Sequence, residues 1–189
     1  MGESGGWYRF LSGHSSGAGH GVEGIEYPNW EYGGSVNASS HNEYLGVDMS
    51  KTGTGHIGYM SSGVHTTTAY CTGCHGNFHV QDTTSTGESP WIRHPSGVAL
   101  PSTGEYSGYI VYDPNVPVAR PDLNDFTPEE VRPGTDMVMC LSCHKPHGSP
   151  YDDLLRWDYS DMQAGTSGDI NTGCFACHRN KDTGDLGSP

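Results

Sequence analysis

Cys140-Leu141-Ser142-Cys143-His144 and Cys174-Phe175-Ala176-Cys177-His178 repeat one pattern, and Cys71-Thr72-Gly73-Cys74-His75 repeats it a third time. Together the three boxes use all six cysteines of the 189-residue chain. In a CxxCH box the two sulfurs form thioethers to a haem, and the histidine reaches the iron from one axial face. Other uses of paired cysteines fit less well. Three disulfides in an exported protein would give no reason for a histidine after every second cysteine. A zinc ribbon pairs two CxxC knuckles roughly 15–20 residues apart. These boxes begin at residues 71, 140 and 174, and three knuckles leave one without a partner. A thioredoxin-like site needs a βαβ context that the flanks lack. The spacing therefore predicts three covalent haems c per chain, on Cys71 and Cys74, Cys140 and Cys143, and Cys174 and Cys177. His75, His144 and His178 are then the proximal iron ligands.

Composition points the same way. Apolar residues make up 33% of the chain, beside 28 glycines and 12 prolines. A polypeptide this poor in aliphatic side chains buries too little surface to offset its ordering entropy unaided. Flat macrocycles would supply the missing interior. The expected fold is mostly coil with a few short helices and very little strand, organised around a file of three covalent haems. Residues 1–70 read as a haem-free N-terminal arm, rich in glycine and serine and able to contact another subunit. Residues 71–189 read as the trihaem domain, with one box at 71–75 and a paired unit at 140–178. Tyr109-Ile110-Val111-Tyr112 is a strand candidate. Thr127–Pro133 and Ser149–Trp157 both open with a capping residue followed by proline, which predicts short helices.

The formal charge of −13, from 22 acidic and 9 basic residues, excludes nucleic acid and anionic lipid as natural partners. Cationic partners, metal ions and mineral surfaces fit it better. No run of about 18 apolar residues occurs, so no membrane insertion is expected. Met1-Gly2-Glu3-Ser4-Gly5-Gly6 has no signal-peptide character and lacks the residue that myristoylation needs. It reads as a processed chain whose export signal has been removed. Gly53-Thr-Gly55-His-Ile-Gly58 matches GxGxxG, but no strand precedes it and no helix pattern follows. Asn37-Ala38-Ser39 is a glycosylation sequon.

Eight of the eleven histidines lie outside the boxes: His14, His20, His41, His56, His65, His79, His94 and His147. With histidine in such surplus over the six methionines, bis-His iron is the expected state. His79 follows His75 by four residues and His147 follows His144 by three, a reach of only about 10–14 Å. Neither can pass around the macrocycle to the far side of the same iron, so each would have to serve a different haem. His56 and His65 sit in a Gly/Ser/Thr stretch and are expected to be solvated loop residues.

Several further stretches carry a resemblance. They run from Tyr8-Arg9-Phe10-Leu11, His20–Glu26 and Trp30-Glu31-Tyr32, through His41-Asn42-Glu43-Tyr44 and Cys74–His79, to Trp91–Pro95. Cys140–Tyr151, Leu155–Tyr159 and Gly173–His178 complete the set. Together they resemble the doubled-CXXCH multihaem c-type cytochromes of metal-reducing bacteria, a group that includes outer-surface cytochromes polymerising into extracellular nanowires. The histidine surplus, which would cap every iron, argues for an electron carrier over a multihaem reductase. The resemblance implies bis-His haems in an alternating stacked and T-shaped file, and extracellular electron transfer. It implies His41, His79, His94 and His147 as distal ligands, with His20 next and His14 beside it. It also implies an extracellular or cell-surface location, a filament of identical copies, and redox partners or acceptors such as metal oxides. One departure is clear: tetrahaem members carry a further N-terminal box, where this chain has only His14 and His20 in a Gly/Ser loop. The alternative function is a soluble periplasmic electron shuttle that does not polymerise.

Overall fold

The computed structural model describes residues 22–27, 37–48, 65–72, 94–146, 148–163 and 172–179. A small five-stranded sheet gathers parts of the chain that are far apart in sequence. Its strands are β1 (Gly24–Ile25), β2 (Glu43–Leu45), β3 (Val98–Ala99), β4 (Ala119–Arg120) and β5 (Met137–Val138), in the order β1-β2-β4-β5-β3. Only β2 and β4 run parallel, with Tyr44 opposite Ala119 and Leu45 opposite Arg120. The other pairs are antiparallel. Strands of two and three residues cannot hold a sheet by ladder bonds alone. Side-chain packing must do it. Because β1 and β2 lie before residue 70, the sheet crosses the expected boundary between arm and haem domain.

The main core cluster joins Leu100, Tyr109, Tyr112, Val116, Val118, Val131 and Ala176, with Val138, Trp157 and Cys177 packed against it. A second cluster of Ala119, Met137 and Met139 is flanked by Tyr44, Ala99 and Leu141. The second and third boxes are thus attached directly to the core, at Leu141 and at Ala176 and Cys177. Gly46, just after β2, lets the backbone come close to both β4 and β5. A Cβ there would lie 2.9 Å from Ala119 Cβ and 3.1 Å from Met137 Sδ.

A charged cluster is sealed between the sheet and the loop after it. Arg120 is wholly buried and bonds Glu43 at 2.9 Å, Asp136 at 2.5 Å and the Glu130 carbonyl at 2.7 Å. Burial disfavours its cation, but hydrogen bonds and charge from Glu43 and Asp136 outweigh that and hold its pKa above the usual value. His41 joins the cluster from the other side. Its Nδ1 lies 3.1 Å from the Asn37 carbonyl and its Nε2 lies 2.8 Å from Glu43 Oε1, with its ring stacked on Tyr112. Both neighbours are acceptors, so the ring donates to both only when both nitrogens carry protons.

Regular helix is scarce. Helix α1 (Thr67–Thr72) is capped by Thr66, whose hydroxyl accepts the Ala69 N–H at 3.0 Å. Three threonines in a row are poor helix formers, yet Thr66, Thr67 and Thr68 are all buried, and α1 packs against helix α2 (Cys140–Cys143). The expected strand at 109–112 makes one isolated bridge, Val111 with Glu130. That pairing takes residues 129–131 out of the helix expected at 127–133: Tyr112 N–H bonds the Glu129 carbonyl and Val131 N–H the Ile110 carbonyl. At 149–157 the only helical turn is the 3₁₀ segment Asp152–Leu154. Among the described residues no helix is long and apolar enough to cross a membrane.

Candidate haem sites

The second and third boxes fold alike. Cys140–Cys143 is one α turn and Gly173–Ala176 one 3₁₀ turn, each entered from an extended residue, Met139 and Thr172. In both, the histidine N–H returns to the carbonyl of the first cysteine, at 3.1 Å for His144 to Cys140 and 3.0 Å for His178 to Cys174. A three-residue spacing on such a turn places the two sulfurs on one side. Ser142 anchors the second box: its buried hydroxyl accepts the Met139 N–H and donates to the Pro117 carbonyl. Gly173 opens the third box at φ +54, and a Cβ there would lie 2.6 Å from Met162 Sδ. Cys71 of the first box lies in α1. Its partners Cys74 and His75 fall outside the described residues.

The cysteines of the last two boxes influence one another electrostatically. Burial, and after it the charges of Cys174, Cys177 and Cys140, push the Cys143 thiol up to about 12. Burial and then Cys174 push Cys177 to about 12 as well. Cys71, Cys140, Cys143, Cys174 and Cys177 are all unbridged thiols here, standing where thioether sulfurs stand in a haem-loaded protein.

Both described box histidines have Nδ1 directed at an acceptor, and Nε2 meets no hydrogen-bonding partner among the described residues. His144 Nδ1 donates to the Asp153 carbonyl at 2.8 Å. That carbonyl is aimed by two successive left-handed residues, Asp153 (φ 55) and Leu154 (φ 58). The conformation is costly for non-glycine residues. It is held by Lys145 N–H to the Leu154 carbonyl and by Arg156 N–H to the Cys143 carbonyl, which clamp the segment along the box. The helix expected at 149–157 gives way to this clamp. His178 Nδ1 lies 3.1 Å from Glu105 Oε1, yet it is buried without an aligned hydrogen bond, so the approach is bent.

His94 stands beside His178. Their ring centroids are 6.2 Å apart and their planes nearly perpendicular, at 89°. His94 Nδ1 bonds the Pro95 carbonyl at 2.9 Å, which again leaves Nε2. Desolvation of the ring is the largest influence on His94; with the nearby His178 it outweighs the Pro95 hydrogen bond and lowers the pKa, favouring the neutral, metal-binding form.

The remaining distal candidates divide. His14, His20, His79 and His147 lie outside the described residues. His41, which the resemblance placed among the ligands, sets Nδ1 3.1 Å from the Asn37 carbonyl and Nε2 2.8 Å from Glu43 Oε1. His65 is half-buried, and its carbonyl takes the Glu23 N–H at 2.8 Å.

Residues 132–183 match the family model of the doubled CXXCH motif. The match supports a multihaem c-type cytochrome that binds haem covalently and transfers electrons. No curated protein and no solved structure is significantly similar to the chain. The donor set fits haem c: cysteine pairs on one-turn elements, an imidazole after each, free Nε2 atoms, and in His178 a buried Nδ1 waiting for a fixed ring orientation. Haem would supply a one-electron iron couple. The chain supplies attachment, axial nitrogens and the groups that orient them.

Proposed function

We propose that the chain carries three bis-His haems c in close file and passes electrons along them as the subunit of an extracellular conductive filament. The observation that carries the reading is the adjacency of the boxes. Helix α1, which bears Cys71, packs on α2 of the second, and the second and third boxes both attach to the core, at Leu141 and at Ala176 and Cys177. Haems attached at such points lie close enough to exchange electrons. His94 is the distal ligand opposite His178. His94 and His178 would hold one iron between them, and their ring centroids stand 6.2 Å apart. His79 and His147 serve haems other than those of their own boxes.

The His94 assignment predicts that His94→Ala leaves the haem on Cys174 and Cys177 with one open axial position. The oxidised variant should show one high-spin haem per chain, and the reduced variant should bind one carbon monoxide that the wild type does not. A fully low-spin variant would remove His94 from the ligand set.

Filament formation follows from residues 1–21, where His14 and His20 could cap or coordinate the terminal haem of the next copy. A heterologous contact of that kind does not close and so propagates. Intact mass and haem absorbance should first give three haems per chain. Electron microscopy of the native material should then show filaments, and deletion of residues 1–21 should leave only small particles. Monodisperse wild-type particles at high concentration would favour the periplasmic shuttle. Metal oxides and other extracellular acceptors suit the acidic surface once bridged by cations.

A further inference from the structure

The two box histidines described differ in what holds them. His144 Nδ1 donates to a peptide carbonyl, that of Asp153, whereas His178 Nδ1 faces the carboxylate of Glu105 at 3.1 Å. Glu105 lies on the 3₁₀ turn Gly104–Gly108, which is pressed against the end of the third box. A Cβ at Gly108 would come within 2.8 Å of Arg179 Cδ, so glycine is what permits the approach. Both side chains are mostly removed from solvent, at 18% exposure for Glu105 and 22% for His178. The nearby cation is occupied elsewhere: Arg179 directs Nε to the Ala176 carbonyl and its guanidinium over the Tyr109 ring. Tyr106, whose ring stands 5.0 Å from that of His178, closes the other side.

From this contrast we infer that Glu105 is a positioning residue which holds the haem of Cys174 and Cys177 at a lower potential than a neutral partner on His178 would give. This rests on the haem reading of the third box. A carboxylate that accepts the Nδ1 proton pushes electron density into the imidazole, and a more basic axial ligand favours ferric over ferrous iron. The contact is bent, with no aligned hydrogen bond on Nδ1. Iron at Nε2 would fix the ring, and the three side-chain torsions of Glu105 let its carboxylate follow.

The test is a spectroelectrochemical titration of the haem-loaded full-length protein. Glu105→Gln removes the charge and keeps the shape. It should raise one haem wave by about tenfold in equilibrium constant, or about 59 mV for a one-electron couple, and leave the others in place. Glu105→Asp, which withdraws the carboxylate by one methylene, should raise the same wave by less, and it serves if the glutamine variant fails to accumulate. Glu129→Gln, which neutralises an exposed acid elsewhere, should move no wave. The inference falls if neither Glu105 variant shifts a wave while haem content stays normal, or if Glu129→Gln shifts it equally. Mass analysis of the Cys174–Cys177 peptide separates the two levels: a peptide without haem overturns the haem reading itself, and the inference with it.

Discussion

Arg120→Met is expected to cost the folded protein about 3–5 kcal/mol, the range for removing one partner from a buried ion cluster. Arg120 has no exposed surface, and both of its carboxylate partners are buried with it. Methionine fills much of the volume, so the penalty comes from charge and not from a cavity. Glu43 would lose its guanidinium partner and keep His41 at 2.8 Å. Asp136 would keep the Arg132 backbone N–H at 2.7 Å and a distant Arg132 guanidinium. The carbonyls of Glu130 and Pro128 would lose their donor too. The cluster ties β2 to β4 and to the 128–136 loop, so its loss should loosen the sheet that positions the second box. Neutralising both acids as well, with Glu43→Gln and Asp136→Asn on the methionine background, should recover part of the loss because no unpaired charge then remains. Chemical denaturation followed by far-ultraviolet circular dichroism measures both variants. A single-variant loss below about 1 kcal/mol, the range of solvated pairs, would show that water reaches the cluster.

None of that cluster could be read from the chain. Arg120 sits between Ala119 and Pro121 as an ordinary surface residue would, and Glu43 and Glu105 are two among 22 acidic residues. What a buried charge does depends on partners 77 or 16 positions away, and no local spacing encodes them. The haem boxes were legible for the opposite reason. Thioether attachment and the proximal nitrogen both come from five consecutive residues, so the chemistry is written locally. Distal ligation is not local. The proposed pairing of His94 with His178 is made through space, and a count of histidines cannot single out His94 from His41, whose ring lies between Asn37 and Glu43. The two expected helices failed in the same manner. Thr127–Pro133 and Ser149–Trp157 have sound local starts, but the first pairs with residues 110–112 and the second bends back to clamp His144. Tertiary contacts overrode propensity in both.

The second box is where a lesion should do most damage to electron flow. Cys140→Ala with Cys143→Ala should remove one of the three proposed haems and lower the haem absorbance per chain by about a third. The same loss is expected from Cys174→Ala with Cys177→Ala, so absorbance alone cannot rank the boxes. Position can. The helix bearing Cys140 and Cys143 packs on α1, and the Cys143 thiol feels the charges of Cys174 and Cys177, so in the proposed file its haem would stand in the middle. Electron tunnelling falls steeply with edge-to-edge distance, so a missing middle haem isolates the outer two. Stopped-flow reduction of the second-box variant should therefore resolve two haems that fill independently. The third-box variant should retain fast exchange between its remaining, adjacent pair. Folding should suffer as well: removing a macrocycle from a chain with so few aliphatic residues takes away more apolar surface than a phenylalanine truncation, which already costs about 3–5 kcal/mol. Equal exchange rates in the two variants would mean that the file does not run in the order of the sequence.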